Sequence, residues 1–160
     1  MLNKIIIYTD GSCIPNPGAG GWAAVINRNK DIEIISGAVT YSTNNRMEIQ
    51  AIIEVISHLY QESKELVIHT DSGYVVNTLE RKWIENWEKN GWKTAKGDNV
   101  KNKDLWIKIK NEMMMTQCKI SFVKVKGHSG NKFNELVHEE ALAQANKMND
   151  KIEARSLGSQ

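Results

Sequence analysis

Several features that mark specialised classes of protein are missing from this sequence of 160 residues. It contains only two cysteines, Cys13 and Cys118, and they lack the CxxC or finger-like spacing of a zinc site. No stretch reaches the roughly 18 apolar residues that a membrane helix needs. Residues 5–7 begin a strand pattern, so we also expect no exported leader. These absences favour a cytoplasmic protein with reduced thiols and no membrane partner.

The charge balance is nearly even. A net charge of +2 is too small to indicate nucleic-acid binding by itself, so such a function must be argued from local patches. The hydrophobic content of 41% and charged content of 25% are ordinary for a soluble globular domain. The length is sufficient for one domain with a buried core, and we expect a monomer.

The spacing of apolar residues predicts alternating strands and helices. Short apolar runs predict strands over residues 5–9, 21–26, 33–39, 66–70 and 119–125, with a loop over 11–18. Helical spacing predicts helices over 45–60, 72–79, 104–115 and 134–148. Three early strands followed by alternating helices and strands predict a mixed α/β domain, one sheet flanked by helices. We expect this domain to span 1–148 and a polar, frayed tail to span 149–160.

Two of the predicted strands end in the same pair of residues. Asp10 follows Thr9 at the end of the first strand, and Asp71 follows Thr70 at the end of the fourth. If the two strands are parallel neighbours, their ends lie about 5 Å apart at the edge of the sheet where α/β proteins bind ligands. Two such carboxylates repel each other, and a divalent cation relieves the repulsion. The alternative is that Asp71 caps the next helix and Asp10 begins a turn.

A third carboxylate, Glu48, lies on the apolar face of the first predicted helix. Ile52 and Leu59 fall within roughly 40° of it around the helix axis, so its charge should point toward the core. Burial of that charge is costly without a cation. The alternative is a capping box of Asn45 and Glu48, and both interpretations can hold because the first turn also lies near the sheet edge.

Taken together, these segments resemble type 1 ribonuclease H. The motifs that carry the resemblance run in order along nearly the whole chain: TDGS at 9–12, PNPG at 15–18, TNNRME at 43–48, TDS at 70–72 and KGHSG at 126–130. The segment 83–92, followed by KTA at 93–95, is similar to the basic handle of the bacterial members, at about 82–103. The resemblance implies the ribonuclease H-like fold with a five-stranded mixed sheet. It also implies hydrolysis of the RNA strand of RNA–DNA hybrids, leaving 3′-hydroxyl and 5′-phosphate ends.

The resemblance implies a role for each motif residue. Asp10 would bridge two Mg²⁺ or Mn²⁺ ions, and Glu48 and Asp71 would complete the metal site on the leaving-group side. His128 would assist proton transfer or product release from a glycine-flanked loop. Asn16, Asn44 and Asn45, with Cys13 nearby, would line the groove and read 2′-hydroxyls. Thr43 and backbone amides near the start of the first helix would hold a DNA phosphate.

In the handle, the residues implied to contact the hybrid are Trp83, Trp87, Lys89, Trp92 and Lys93. Over residues 82–103, six lysines against three carboxylates leave a local net charge of +3, which favours phosphate binding. The alternative is structural, with asparagines that build loops and tryptophans that pack beneath solvated lysines. We expect Trp83 or Trp87 to pack inward in part.

Two positions depart from the family pattern. The family has a glutamine where this chain has Gly73, so one minor-groove contact is missing. The family's fourth carboxylate falls on His138 when counted from Asn134, whereas a shift of two residues would select Glu140.

Helical phase favours His138 as the fourth metal ligand. It lies within about 60° of Ala141 and Ala145 and so faces inward, whereas Glu140 should face water. A neutral imidazole suits transition metals better than Mg²⁺. The loss of a carboxylate raises an alternative function, a hybrid-binding module with weak or lost hydrolysis.

Overall fold

The computed structural model describes residues 3–62, 64–127 and 130–158. Within these ranges the strands are β1 (Lys4–Ile14), β2 (Gly18–Arg28), β3 (Asp31–Ser42), β4 (Glu65–Thr70) and β5 (Lys119–Lys124). The helices are α1 (Asn44–Leu59), α2 (Gly73–Glu80), α3 (Trp83–Lys89), α4 (Lys103–Met115) and α5 (Lys132–Gly158). None of the helices in the described ranges is long and apolar enough to cross a membrane.

The strands form one mixed sheet in the order β3-β2-β1-β4-β5, which confirms the predicted fold. The β1–β2–β3 pairs are antiparallel, and β4 joins β1 in parallel with Ile7 opposite Ile68 and Tyr8 opposite His69. Two residues beyond that last pair, Asp71 follows the end of β4, and Asp10 lies at the equivalent position of β1, which continues to Ile14. The predicted parallel pairing of these two strands is therefore confirmed.

The sheet is covered on both faces, because alternate residues of its central strands are apolar on both sides. On one face, Ile7 and Ile68 belong to the main core with Ile52 of α1 and Trp106 of α4. On the other face, α5 packs through Val137 and Ala141 on Tyr8, Ala23 and Val25, and these residues form a smaller core. This second helix–sheet contact holds α5 beside the edge where Asp10 lies.

The structure contains one helix that was not predicted, α3, and several elements run longer than predicted, most of all β1 and α5. Strand β1 continues to Ile14, since its residues stay paired with β2 as far as Ile14 opposite Ala19, and the predicted loop is shorter. The predicted frayed tail is instead helical as far as Gly158. Half of residues 149–158 are good helix formers (lysine, glutamate, alanine, arginine and leucine), and no glycine or proline interrupts the segment before Gly158.

Candidate active site

Three carboxylates from separate elements meet at the carboxyl edge of β1 and β4. Asp10 lies within β1, Glu48 in the first turns of α1, and Asp71 directly after β4. One oxygen from each of the three side chains lies within 4.8 Å of the other two. The three carboxylates therefore lie close together in the folded protein, as predicted.

A glycine allows α1 to approach the end of β1. A Cβ atom placed on Gly11 would lie 2.3 Å from the carbonyl carbon of Met47 and 2.5 Å from the backbone nitrogen of Glu48. Both distances are far below van der Waals contact, so a side chain does not fit here without a shift of the helix. The absence of a side chain at Gly11 therefore brings Glu48 next to Asp10.

The local alternatives for these carboxylates are wrong. Thr43 caps α1, with its hydroxyl accepting a hydrogen bond from the Arg46 backbone N–H at 3.2 Å, so Asn45 and Glu48 do not form a capping box. Ser72, not Asp71, caps α2. Asp10 lies within a paired strand and does not begin a turn. Their positions are better explained by their convergence on one another.

The electrostatics of the cluster favour a cation. Glu48 is buried, and its Oε2 atom has no hydrogen-bond partner among the described residues. Burial raises the pKa of Glu48 well above its usual range, and the negative charges of Asp10 and Asp71 and a hydrogen bond with Asp10 raise it further. An oxygen-only set of carboxylates with an unsatisfied buried atom is what a hard divalent cation needs, so these residues fit a metal.

His138 of α5 contacts this cluster directly. Its Nδ1 atom lies 2.7 Å from Asp10 Oδ2, and its side chain lines a shallow pocket together with Asp71 and Asn134. Glu140, in contrast, points toward β3, where it accepts hydrogen bonds from Ser36 Oγ and Gln144 Nε2, each at 3.2 Å. The prediction that Glu140 faces water is wrong in this respect, because the residue is half-buried against β3. The imidazole is the α5 group that contacts Asp10.

The predicted His128 lies outside the described residues. The described residue before it, Gly127, adjoins Asp71, since a Cβ atom there would lie 3.4 Å from Asp71 Oδ2. The chain thus leaves β5 alongside the carboxylates.

Comparison with known proteins identifies the family. The profile of the RNase H family matches residues 2–151. The ribonuclease H of Oleidesulfovibrio alaskensis is 43% identical over 146 residues, covering 91% of this chain and 93% of the relative. The chain belongs to the RNase H family. The ribonuclease H of Francisella philomiragia is 45% identical over 137 residues, covering 86% and 88% of the two chains.

The fold agrees with solved structures of RNase H proteins. The crystal structure of LC9-RNase H1, a type 1 RNase H with the type 2 active-site motif, matches with a TM-score of 0.78 at 26% identity. The match covers 92% of this chain and 74% of LC9-RNase H1. The resemblance to type 1 ribonuclease H is consistent with this structure.

A groove in this RNase H fold brings together the predicted loop residues. Asn44 Oδ1 accepts a hydrogen bond from the Cys13 backbone N–H at 2.8 Å, and Asn16 Oδ1 accepts one from the Asn44 N–H at 3.1 Å. The amide oxygens of both asparagines therefore build the loop, as the structural alternative predicts. The groove is lined by Asn16, Pro17, Thr43, Asn44, Asn45, Lys101 and Asn102.

Lys101 and Asn102 also line this groove, although no sequence motif predicted them there. Both lie at the end of the handle, far from the three asparagines in sequence. Their placement depends on Arg46, which forms two hydrogen bonds to Asp104 at 2.9 and 2.7 Å and thereby joins the starts of α1 and α4. No local sequence signal predicts this long-range contact.

The tryptophans of the handle form a continuous aromatic cluster. Trp87 lies between Trp83, Trp92 and the buried Trp106, with ring centroids 6.3, 6.0 and 6.2 Å apart. Trp87 packs inward as predicted, and Trp83 and Trp87 also line a surface groove with Lys93. Lys89 and Lys93 are exposed above this cluster. The handle thus combines a packed aromatic base with exposed lysines.

Proposed function

We propose that this protein is an endonuclease that hydrolyses the RNA strand of RNA–DNA hybrids with divalent metal ions, leaving 3′-hydroxyl and 5′-phosphate ends. The observation that carries the proposal is the cluster of Asp10, Glu48 and Asp71, with oxygens within 4.8 Å of one another, in a chain of the RNase H family. The relatives with more than 40% identity are named Ribonuclease H. Another solved structure that matches this fold is that of LC11-RNase H1 in complex with an RNA/DNA hybrid.

Four side chains would hold the metal ions, Mg²⁺ or Mn²⁺. Asp10 is central, because it shares a hydrogen bond with Glu48 and its Oδ2 atom contacts His138. Asp10 would therefore act as a ligand together with each of the other three side chains. Two bound divalent ions supply a polarised water and stabilisation of the departing oxygen.

The remaining residues would hold the substrate and move protons. Asn16, Asn44 and Asn45 line one groove, and the Cys13 backbone N–H donates a hydrogen bond to Asn44; these residues would contact 2′-hydroxyls, which distinguish RNA from DNA. Thr43, in the same groove, would hold a DNA phosphate. In the handle, the tryptophans and lysines would contact the phosphate backbone: Trp83, Trp87, Lys89, Trp92 and Lys93. His128 would assist proton transfer or product release. We further propose that the protein acts as a monomer, since one chain supplies the three clustered carboxylates and His138, and that it works in the cytoplasm.

A second candidate function is a hybrid-binding module with weak or lost hydrolysis. The observation that favours it is that an imidazole, His138, contacts Asp10 where the family pattern has a carboxylate. Three clustered carboxylates argue against this function, because negative charge beside phosphates weakens binding unless a cation is held there. We therefore favour the nuclease.

A cleavage assay separates the two functions. An RNA strand labelled at its 5′ end is paired with DNA and incubated with the protein in Mg²⁺ or Mn²⁺, beside RNA–RNA and DNA–DNA duplexes. We expect cleavage of the RNA in the hybrid alone. The matched control is Asp71→Asn, which should bind the hybrid as well as the parent but cut at least about 100-fold more slowly, since one ligand charge is lost. Tight binding without cleavage by the parent protein in either metal would favour the binding module.

A further inference from the structure

The side chain of Lys124 occupies the space beside Gly73, at the start of α2. A Cβ atom placed on Gly73 would lie 3.3 Å from Lys124 Cε and 3.9 Å from its Nζ, and the third nearest atom is also from Lys124. The lysine therefore extends across the position from which a side chain at residue 73 would project.

This position lies beside the carboxylate cluster. Lys124 is the last residue of β5 and pairs with Thr70, the residue that precedes Asp71. Three residues after Lys124, Gly127 adjoins Asp71, since a Cβ atom placed on Gly127 would lie 3.4 Å from Asp71 Oδ2. The lysine thus lies at the same edge of the sheet as the site proposed to hold the metal ions.

The described residues offer Lys124 no ion-pair partner. The residue is exposed, and no acidic group of residues 3–62, 64–127 and 130–158 forms an ion pair with it. The arginines Arg28 and Arg46, in contrast, each form ion pairs with carboxylates. A cation without such a partner remains available to a polyanion.

We propose that Lys124 contacts the phosphate backbone of the RNA strand next to the catalytic carboxylates, in the place that a side chain at residue 73 would otherwise fill. This inference rests on the proposed function. The lysine ammonium group is a compact cation that binds phosphate without reading the bases. The contact would therefore add affinity that does not depend on sequence and falls with salt concentration.

The test compares substitutions that separate the charge of Lys124 from its packing. Lys124→Met keeps the aliphatic stem over Gly73 and removes the charge, whereas Lys124→Arg keeps a charge. Lys119→Met is the matched control, because Lys119 is an exposed lysine at the opposite end of the same strand. For each variant we would measure kcat, KM and the salt dependence of hybrid binding in metal-free buffer.

Lys124→Met should raise KM about threefold to fivefold, as for the loss of one exposed charge contact. It should also flatten the slope of log affinity against log salt by about 0.7 to 0.9, with kcat and the unfolding midpoint unchanged. Lys124→Arg and Lys119→Met should both retain the parental slope. If Lys124→Met has the same KM and the same salt dependence of binding as Lys119→Met, the proposal is overturned, because the Lys124 side chain then only packs over Gly73. Absence of cleavage by the parent protein would count against the proposed function alone. In that case the salt dependence of hybrid binding still tests the role of Lys124.

Discussion

One added methyl group at Gly11 should separate Glu48 from Asp10. In Gly11→Ala the new Cβ would lie 2.3 Å from the Met47 carbonyl carbon, 2.6 Å from Met47 Cβ and 2.5 Å from the Glu48 nitrogen. Two of these three atoms are backbone atoms of α1, so a side-chain rotation cannot relieve the clash. The helix must move away from β1 by about 1 Å to restore a contact of 3.4 Å.

The consequences differ for stability and for catalysis. Overpacking of this kind costs about 1–3 kcal/mol, which in a protein of this size lowers Tm by roughly 2–12 °C. A displacement of about 1 Å in a ligand-bearing element can reduce catalysis by about 100-fold. We therefore expect Gly11→Ala to remain folded at 25 °C. Its kcat on the hybrid should nevertheless fall far more than the small loss of unfolding free energy alone would explain.

Thermal unfolding and hybrid cleavage, measured on the same preparation, check this prediction. Gly158→Ala is the matched control, since a Cβ atom at that position would have no atom within 4 Å. Its unfolding free energy should stay within about 0.5 kcal/mol of the parent and its kcat should be unchanged. Parental stability and parental kcat in Gly11→Ala would refute the argument that the close approach of β1 and α1 positions Glu48.

Three further predictions concern the handle, the fourth ligand and an ion-pair network. Replacement of Lys89, Lys93 and Lys96 by alanine should raise KM and flatten the dependence of hybrid affinity on salt, with little change in kcat. An unchanged salt dependence would mean that these lysines are only solvated. His138→Asp should shift the ratio of activities in Mn²⁺ and Mg²⁺ toward Mg²⁺, whereas Glu140→Gln should leave that ratio unchanged; the reverse pattern would make Glu140 the ligand. Glu33 accepts hydrogen bonds from Arg28 and His58, and the bond from Arg28 is the main cause of its lowered pKa. The pKa of Glu33 in the folded protein lies below the unfolded value of about 4.3, so its ionised form stabilises the fold above that pH and this stabilisation is lost as the pH falls. In a plot of unfolding free energy against pH, Glu33→Gln should therefore show a smaller loss of stability at acidic pH.

The sequence alone determined the parts of this protein that depend on local pattern. The period of apolar residues predicts every strand of the sheet, because each strand buries a side that must be apolar. The repeated Thr-Asp segments of β1 and β4 predict that Asp10 and Asp71 lie close together, since the two strands are parallel neighbours. The phase of α5 predicts that His138, and not Glu140, turns toward that edge, and the contact with Asp10 agrees.

Only the tertiary structure decided which distant residues meet. The hydrogen bond from Cys13 to Asn44 spans 31 residues, and the contact of Arg46 with Asp104 spans 58. Similarly, the approach of Lys124 to Gly73 brings the end of β5 next to the start of α2. No local periodicity encodes such contacts, because they depend on how whole elements pack. A glycine leaves the space of a side chain empty, and only the folded structure shows which neighbouring residue fills it.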